Sequence, residues 1–365
     1  MIRAQLPSLE GCAYLNAGTN GPLPLAAAEA ARELISYDVA RPRIGMPAFE
    51  RYFAVRARAR EGLAAVAGAP PDQIALTSST TQGIGIVTAG LGWQAGDEVV
   101  TTTEEHPGLL SPLDVLARRF GVVVKAVDAG DVLDAIGPKT RMVGVSHVLW
   151  TTGRVLDLPP LADAVHAVGG TLLVDGAQSI GNIPVDVPAT GADFYAFSGQ
   201  KWLMGAQGSG GLWVHPDRVD GLWPVLSGYL ALDGGQIGQF KEGAARFDAG
   251  TIDGVTLVTL AASLEWVAGL PGGRAGWYAK ARENAARARE LLAAAPGVTV
   301  APGETGLLAF EVEGHECQPV SDALNERKVL VRFIPHTPYV RASIGAWTDE
   351  SDLHALLDAI ASLNQ

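Results

Sequence analysis

Two short segments carry the residues best suited to chemistry. The first, Leu172-Leu173-Val174-Asp175-Gly176-Ala177-Gln178-Ser179, is an apolar run that ends in an acid and an amide. The second, Ala196-Phe197-Ser198-Gly199-Gln200-Lys201-Trp202, is an apolar run that ends in a serine and a lysine. Taken singly, Asp175 reads as a turn residue and Lys201 as a surface cation. Together, in this order and each at the end of a strand, they argue for a site. An aspartate buried at its base and open at a sheet edge suits an ion pair with a protonated pyridine nitrogen, which keeps the ring an electron sink. A lysine in a partly desolvated pocket beside other cations loses enough basicity to form an imine.

Three further segments add to this pair. Thr77-Ser78-Ser79-Thr80-Thr81-Gln82-Gly83 leads from a strand into a helix and offers hydroxyls and unpaired backbone N–H groups to an anion such as a phosphate. In Thr103-Glu104-Glu105-His106-Pro107-Gly108 a histidine follows another strand, four steps before the next expected helix. Near the end, Val331-Arg332-Phe333 and Val340-Arg341-Ala342-Ser343-Ile344-Gly345 place two arginines around a proline-containing turn. A guanidinium grips a carboxylate through two parallel hydrogen bonds. For Arg332 two readings stand: a second anion contact, or a partner for an acidic side chain.

Over nearly its whole length the chain resembles the class V aminotransferase family, which includes cysteine desulfurases, cystine lyases, isopenicillin epimerases and kynureninases. The resemblance implies pyridoxal 5'-phosphate as cofactor, held by Lys201 as a Schiff base, with Asp175 on the pyridine nitrogen and Gln178 on the ring hydroxyl. It places Thr80, Thr81 and Ser198 at the phosphate, with Gln200 where desulfurases commonly carry a histidine, so that this contact is neutral. His106 stacks on the ring and assists proton transfer, and Arg341 holds the α-carboxylate of a small amino-acid substrate. Arg246-Phe247-Asp248-Ala249-Gly250-Thr251 resembles the segment whose threonine reaches the phosphate of the neighbouring subunit, which implies a homodimer with shared active sites.

The pattern departs from the desulfurases at two places. The loop Phe333-Ile334-Pro335-His336-Thr337-Pro338-Tyr339, where one branch carries its sulfur-accepting cysteine, has none, and Cys317 reads as a bystander. Trp150, in Ser146-His147-Val148-Leu149-Trp150-Thr151-Thr152-Gly153-Arg154, stands where desulfurases tend to carry asparagine. That form, and the opening Tyr14-Leu15-Asn16-Ala17-Gly18-Thr19-Asn20-Gly21-Pro22, resemble the cystine lyase and ergothioneine-type C–S lyase branch. The leading expectation is β-elimination from cysteine, cystine or a cysteine S-conjugate to pyruvate, ammonia and a thiol. The alternatives are an aminotransferase, an amino-acid epimerase, a desulfurase recruiting Cys317, and an inactive scaffold relative. Asn16, Thr19, Arg43, Trp150, Tyr229, Arg332 and His336 are further candidates to line the pocket.

These residues need elements to position them. Strands are expected at 73–77, 98–102, 122–127, 142–146, 171–175, 194–198 and 210–214, with helices at 81–91, 110–120 and 158–168 and a short one after Ala177. The alternation predicts an α/β fold with a mostly parallel seven-stranded sheet between helices, and ligands gather at the carboxyl ends of such strands. Helices at 255–270 and 277–295, strands at 298–301, 307–313 and 329–333, and helices at 319–326 and 350–363 follow. The expected division is a large cofactor-binding domain at 14–254 and a smaller α+β domain at 255–365 that packs residues 1–13, the arrangement of aminotransferase-like fold type I.

Bulk composition narrows the classes. The chain has 365 residues, 48% of them hydrophobic, and a net charge of −12 with no basic run to track a phosphate backbone, so nucleic acid is not an expected partner. The arginines in 51–60 and 282–289 alternate with alanine and read as solvated helix faces. The start lacks a signal-peptide pattern and no stretch approaches the roughly 20 apolar residues of a membrane span, so a cytoplasmic protein away from membranes is expected. Two cysteines in unrelated contexts suggest neither a disulfide framework nor a metal site.

Overall fold

The structure is a computed structural model that describes residues 2–248 and 250–364. Met1, Ala249 and Gln365, which fall in the expected domains and in the Arg246-to-Thr251 motif, lie outside the described residues. After β1 (Ala13–Tyr14) come α1 (Leu25–Ala40) and α2 (Met46–Ala67). The sheet elements follow as β2 (Ile74–Thr77), α3 (Thr80–Gly90), β3 (Glu98–Thr102), α4 (Pro107–Phe120), β4 (Val123–Val127), α5 (Val132–Ala135), β5 (Thr140–Ser146), α6 (Leu158–Ala167), β6 (Thr171–Asp175), β7 (Phe194–Ser198) and β8 (Gly210–Val214). Helices α7 (Gly254–Ala268) and α8 (Gly273–Ala294) lead to β9 (Val298–Val300), β10 (Leu307–Val312), α9 (Cys317–Glu326), β11 (Val329–Leu330), β12 (Arg332–Phe333), β13 (Val340–Ser343) and α10 (Glu350–Ala361).

The large sheet has the order β2-β8-β7-β6-β5-β3-β4, and β8 alone runs against its neighbours. Its central strands read as unbroken apolar runs because both faces are covered. Alternate side chains feed opposite layers. Leu172, Val174, Tyr195 and Phe197 join the core under α2 and α7, whereas Leu173, Phe194 and Ala196 join the one under α3 and α4. Each leucine, valine or phenylalanine among them contributes roughly 1.5–3 kcal/mol by leaving water. Left-handed glycines end two of the helices: Gly68 (φ 67°) closes α2 and Gly121 (φ 71°) closes α4.

A second sheet, β12-β13-β10-β9, is antiparallel and packs against α8, α9 and α10 through Phe310, Leu324 and Leu356. β1 pairs in parallel with β11, while Leu6 and Leu9 pack beside Trp277 and Trp347. β1 and β11 form a two-stranded sheet of their own. Among the described residues no single helix is long and apolar enough to cross a membrane.

Three sequence expectations are corrected. No helix follows Ala177: residues 176–183 form successive turns, with Ser179 Oγ and Asn182 Nδ2 bonding back to backbone carbonyls and Gly181 at φ 87°. Helix α4 begins at Pro107, because His106 accepts the Gly108 N–H and caps it. The arginines of 51–60 are not uniformly solvated, since Arg56 and Arg60 both reach the buried Asp248 at 2.6 Å.

Candidate active site

The carboxyl ends of β2, β3, β5, β6 and β7 converge on a cavity of about 180 Å³. Asp175 is the last residue of β6, in register with Ser146 of β5 and Ala196 of β7. Its Oδ1 accepts the Ala177 N–H at 2.8 Å. Burial pushes the carboxyl above the usual aspartate range, opposed by the charge of Lys201 and by that N–H. The next residue must be glycine, because a Cβ on Gly176 would lie 2.1 Å from the Tyr195 ring. The Gln178 amide is fixed at both ends: Nε2 donates to Gly18 O at 2.9 Å and Oε1 accepts from Trp202 Nε1 at 2.8 Å. An amide nitrogen carries two hydrogens, so one is left for a ligand. Lys201 stands three residues beyond β7 and lines the same cavity. Burial lowers its ammonium to about 8, with Arg341 and Arg332 acting in the same sense and Asp175 against it.

One end of the cavity is built for an anion. Ser79 caps α3 by accepting the Gln82 N–H at 3.1 Å, which sets Thr80 and Thr81 in the first turn at the positive end of the helix. Thr80 Oγ1 lies 2.6 Å from Ser198 Oγ, across from β2 to β7. Gln200 Oε1 is buried there with no partner.

The other end is cationic. Arg332 and Arg341 stand directly opposite each other on β12 and β13. Like charges so placed repel, and neither forms an ion pair with an acidic side chain among the described residues. Arg341 is fully buried, donates Nη1 to Trp150 O at 2.9 Å, and leaves Nε and Nη2 without partners. Burial, then Arg332, lowers its guanidinium to about 9, still a cation at neutral pH. The Arg332 guanidinium lies 5.8 Å from the centroid of the Trp150 ring, and Trp150 meets His106 edge-on at 4.9 Å. His106 is held neutral, its pKa lowered to about 4 by burial and by the nearby cations. Because Nδ1 accepts the Gly108 N–H at 2.9 Å, the ring proton sits on Nε2.

The aminotransferase class-V family pattern matches residues 14–356. The chain belongs to this family of pyridoxal-phosphate enzymes. It is 36% identical over 276 residues to a probable cysteine desulfurase of Methanothermobacter thermautotrophicus, covering 73% of this chain and 69% of that protein. It is 29% identical to the isopenicillin N epimerase of Streptomyces clavuligerus over 96% of this chain and 94% of the other. Among solved structures, the cystine C–S lyase C-DES in complex with its reaction product cysteine persulfide superimposes with a TM-score of 0.92 at 30% identity, over 98% of this chain and 99% of that one. The cysteine desulfurase CsdA of Escherichia coli gives 0.86 at 28%, over 99% and 96%.

The orphaned donors and acceptors of the cavity fit the class-V cofactor and an amino-acid substrate: an acid, a lysine of lowered basicity, a hydroxyl-lined helix terminus and an unpaired guanidinium edge. The structure gathers Thr80, Thr81, His106, Trp150, Asp175, Gln178, Ser198, Gln200, Lys201, Arg332 and Arg341, with Thr19, around one cavity. Other candidates lie off it. Asn16 accepts from Thr19 Oγ1 at 2.8 Å and so shapes the loop that bears Gly18. Arg43, Tyr229 and Thr251 border a separate hollow beside α1 and α2, and His336 is exposed. Among the described residues Arg332 has no carboxylate partner, and it lines the cavity beside Arg341. Three contributors were not foreseen. Gly18 lies so close to Arg341 that a Cβ would come within 2.8 Å of Nη2. Ser146 lines the cavity, and Glu105 is buried behind it. The adjacency of Glu105 to His106 was the only sequence signal for it.

Proposed function

We propose that this class-V enzyme is a C–S lyase that cleaves cystine, cysteine or a cysteine S-conjugate by β-elimination. The carrying observation is the pairing of a complete lysine, aspartate and arginine set with a loop at 333–339 that holds no cysteine. The 0.92 superposition on a cystine C–S lyase supports the same reading.

Pyridoxal phosphate, when bound, supplies the electron sink that acidifies the substrate's α-carbon. Asp175 would hold its ring nitrogen, Gln178 its ring hydroxyl, and Thr80, Thr81, Ser198 and Gln200 its phosphate, while His106 stands against the ring. Arg341 takes the α-carboxylate through its free Nε and Nη2, and Arg332 adds a second charge beside it. Lys201 Nζ, its basicity lowered by burial, takes the α-proton. The neutral His106 can steady the departing sulfur through a hydrogen bond from its Nε2–H. The sulfur leaves as a thiolate, the ammonium of Lys201 returns the proton to it, and addition of water to the remaining three-carbon fragment gives pyruvate and ammonia.

The enzyme acts as a cytoplasmic homodimer. Thr251 stands off its own chain's cavity and bonds Tyr229 across 3.2 Å, facing a hollow of about 490 Å³ rimmed by the exposed Ile35, Val39 and Phe49. A second copy seated there receives Thr251 at its phosphate end. Residues 14–254 serve as the cofactor-binding domain and 255–365 as the smaller one. A desulfurase is the second reading, favoured by one contact: Cys317 Sγ donates to Thr337 O at 3.3 Å, against the loop that bears the thiol in other members.

A product screen with cystine, cysteine, S-conjugates and plain amino acids decides among these. Pyruvate and a sulfur product from a cysteine derivative are expected. A keto acid formed only with an added amino acceptor, or inversion at the α-carbon without elimination, contradicts the proposal.

A further inference from the structure

Glu105 is a buried carboxylate that the reaction above leaves unused. Its Oε1 accepts from Thr102 Oγ1 and from the Ser146 backbone N–H, both at 2.9 Å, and its Oε2 accepts from Ser146 Oγ. Three donors on one carboxylate lash the end of β3 to the end of β5. Ser146 is the cavity-lining residue in register with Asp175, and His106 is the next residue along the chain from Glu105. The neighbouring Glu104 extends the tether: its Oε2 accepts from Thr151 Oγ1 at 2.8 Å, next to Trp150. The edge-on contact of His106 with Trp150 therefore joins two segments that Glu104 and Glu105 bind together.

We propose that Glu105 is a positioning residue of the active site, fixing His106 and Ser146 and standing as a second acidic group behind Asp175. The inference rests on reading His106 and Asp175 as site residues. A buried carboxylate survives in its charged form only where donors compensate for lost water. Here burial raises the pKa to about 7, the Ser146 and Thr102 donors pull it down, and Asp175 on β6 pushes it further up. The charge of Glu105 thus changes within the neutral range, while His106, at about 4, stays neutral throughout it. Interacting acids titrate as a pair, so a change at one is felt by the other.

The test follows the His106 ring resonances by NMR from pH 5.5 to 8.5 in the cofactor-free full-length chain. His106 does not itself titrate over that range, whereas Glu105 near 7 and Lys201 near 8 both do, so the Glu105→Gln comparison assigns the transition near 7. Glu105→Gln, which keeps the length and loses the charge, is expected to abolish that transition. Ser146→Ala removes one donor to the charged form and is expected to move the midpoint upward. A transition unchanged in both variants overturns the proposal, and should Glu105→Gln not fold, the direction of the Ser146→Ala shift decides alone. In the cofactor-loaded protein the visible band is expected to carry the same midpoint and to lose it in Glu105→Gln. A protein that takes up no chromophore overturns the cofactor reading, and the NMR comparison still decides the role of Glu105.

Discussion

Lys201 and Arg341 are the two side chains on which the proposed chemistry depends most. An amine attacks a carbonyl only when neutral, and burial holds Lys201 at about 8. Uptake of pyridoxal phosphate by the cofactor-free protein should therefore quicken about tenfold per pH unit below that value and level off above it. Stopped-flow absorbance reads this directly. A rate still climbing beyond pH 10 would show an unshifted lysine. Arg341 presents a planar fork that lysine does not reproduce. Arg341→Lys should lower kcat/KM by roughly 10–100-fold, the worth of about 1.5–3 kcal/mol in charged hydrogen bonds, mainly through KM. Steady-state kinetics against substrate concentration separates the two constants. Both residues were candidates in the sequence because each stands in a short motif, Lys201 three residues beyond β7 and Arg341 within β13, and the structure brings both to one cavity. Glu105, Ser146 and Gly18 were not, since their part in the site comes from contacts between strands distant in sequence.

At the element scale, α2 and its partner acid show where sequence patterning failed. The alternation of arginine and alanine over 51–60 looks like a solvated stripe, yet Arg56 and Arg60 are turned onto Asp248, which also accepts the Leu76 N–H at 2.8 Å. Helical periodicity reports which residues share a face; it carries no signal of an acid nearly 200 positions away that turns that face inward. Asp248→Ala leaves the buried Arg56 uncompensated and should cost about 3–5 kcal/mol of stability, read from chemical denaturation. A loss below 1 kcal/mol would place these arginines in water after all. The strands of the large sheet were legible for the opposite reason: burial on both faces makes them near-continuous apolar runs, and β3, β6, β7 and β8 begin and end where the sequence places them.

At the scale of the whole molecule, the single chain presents Ile35, Val39, Phe49 and Tyr229 to solvent around the hollow beside Thr251. Exposed apolar surface of this kind marks an interaction face. Sedimentation should give twice the mass of the chain, and Phe49→Glu should yield a monomer that binds cofactor more weakly because Thr251 no longer reaches a neighbour. A monomeric wild type with undiminished affinity would remove shared sites from the account. The family, fold and cofactor followed from local motifs, whereas the reaction depends on what stands at 333–339 and on the fate of the sulfur.

The most direct test of that reaction is to turn the enzyme over with cystine and with cysteine, quantify pyruvate and alanine, and weigh the intact protein afterwards. Elimination predicts pyruvate as the carbon product and a protein mass unchanged by turnover. Alanine formed in step with the gain of a sulfur atom on Cys317 would contradict it.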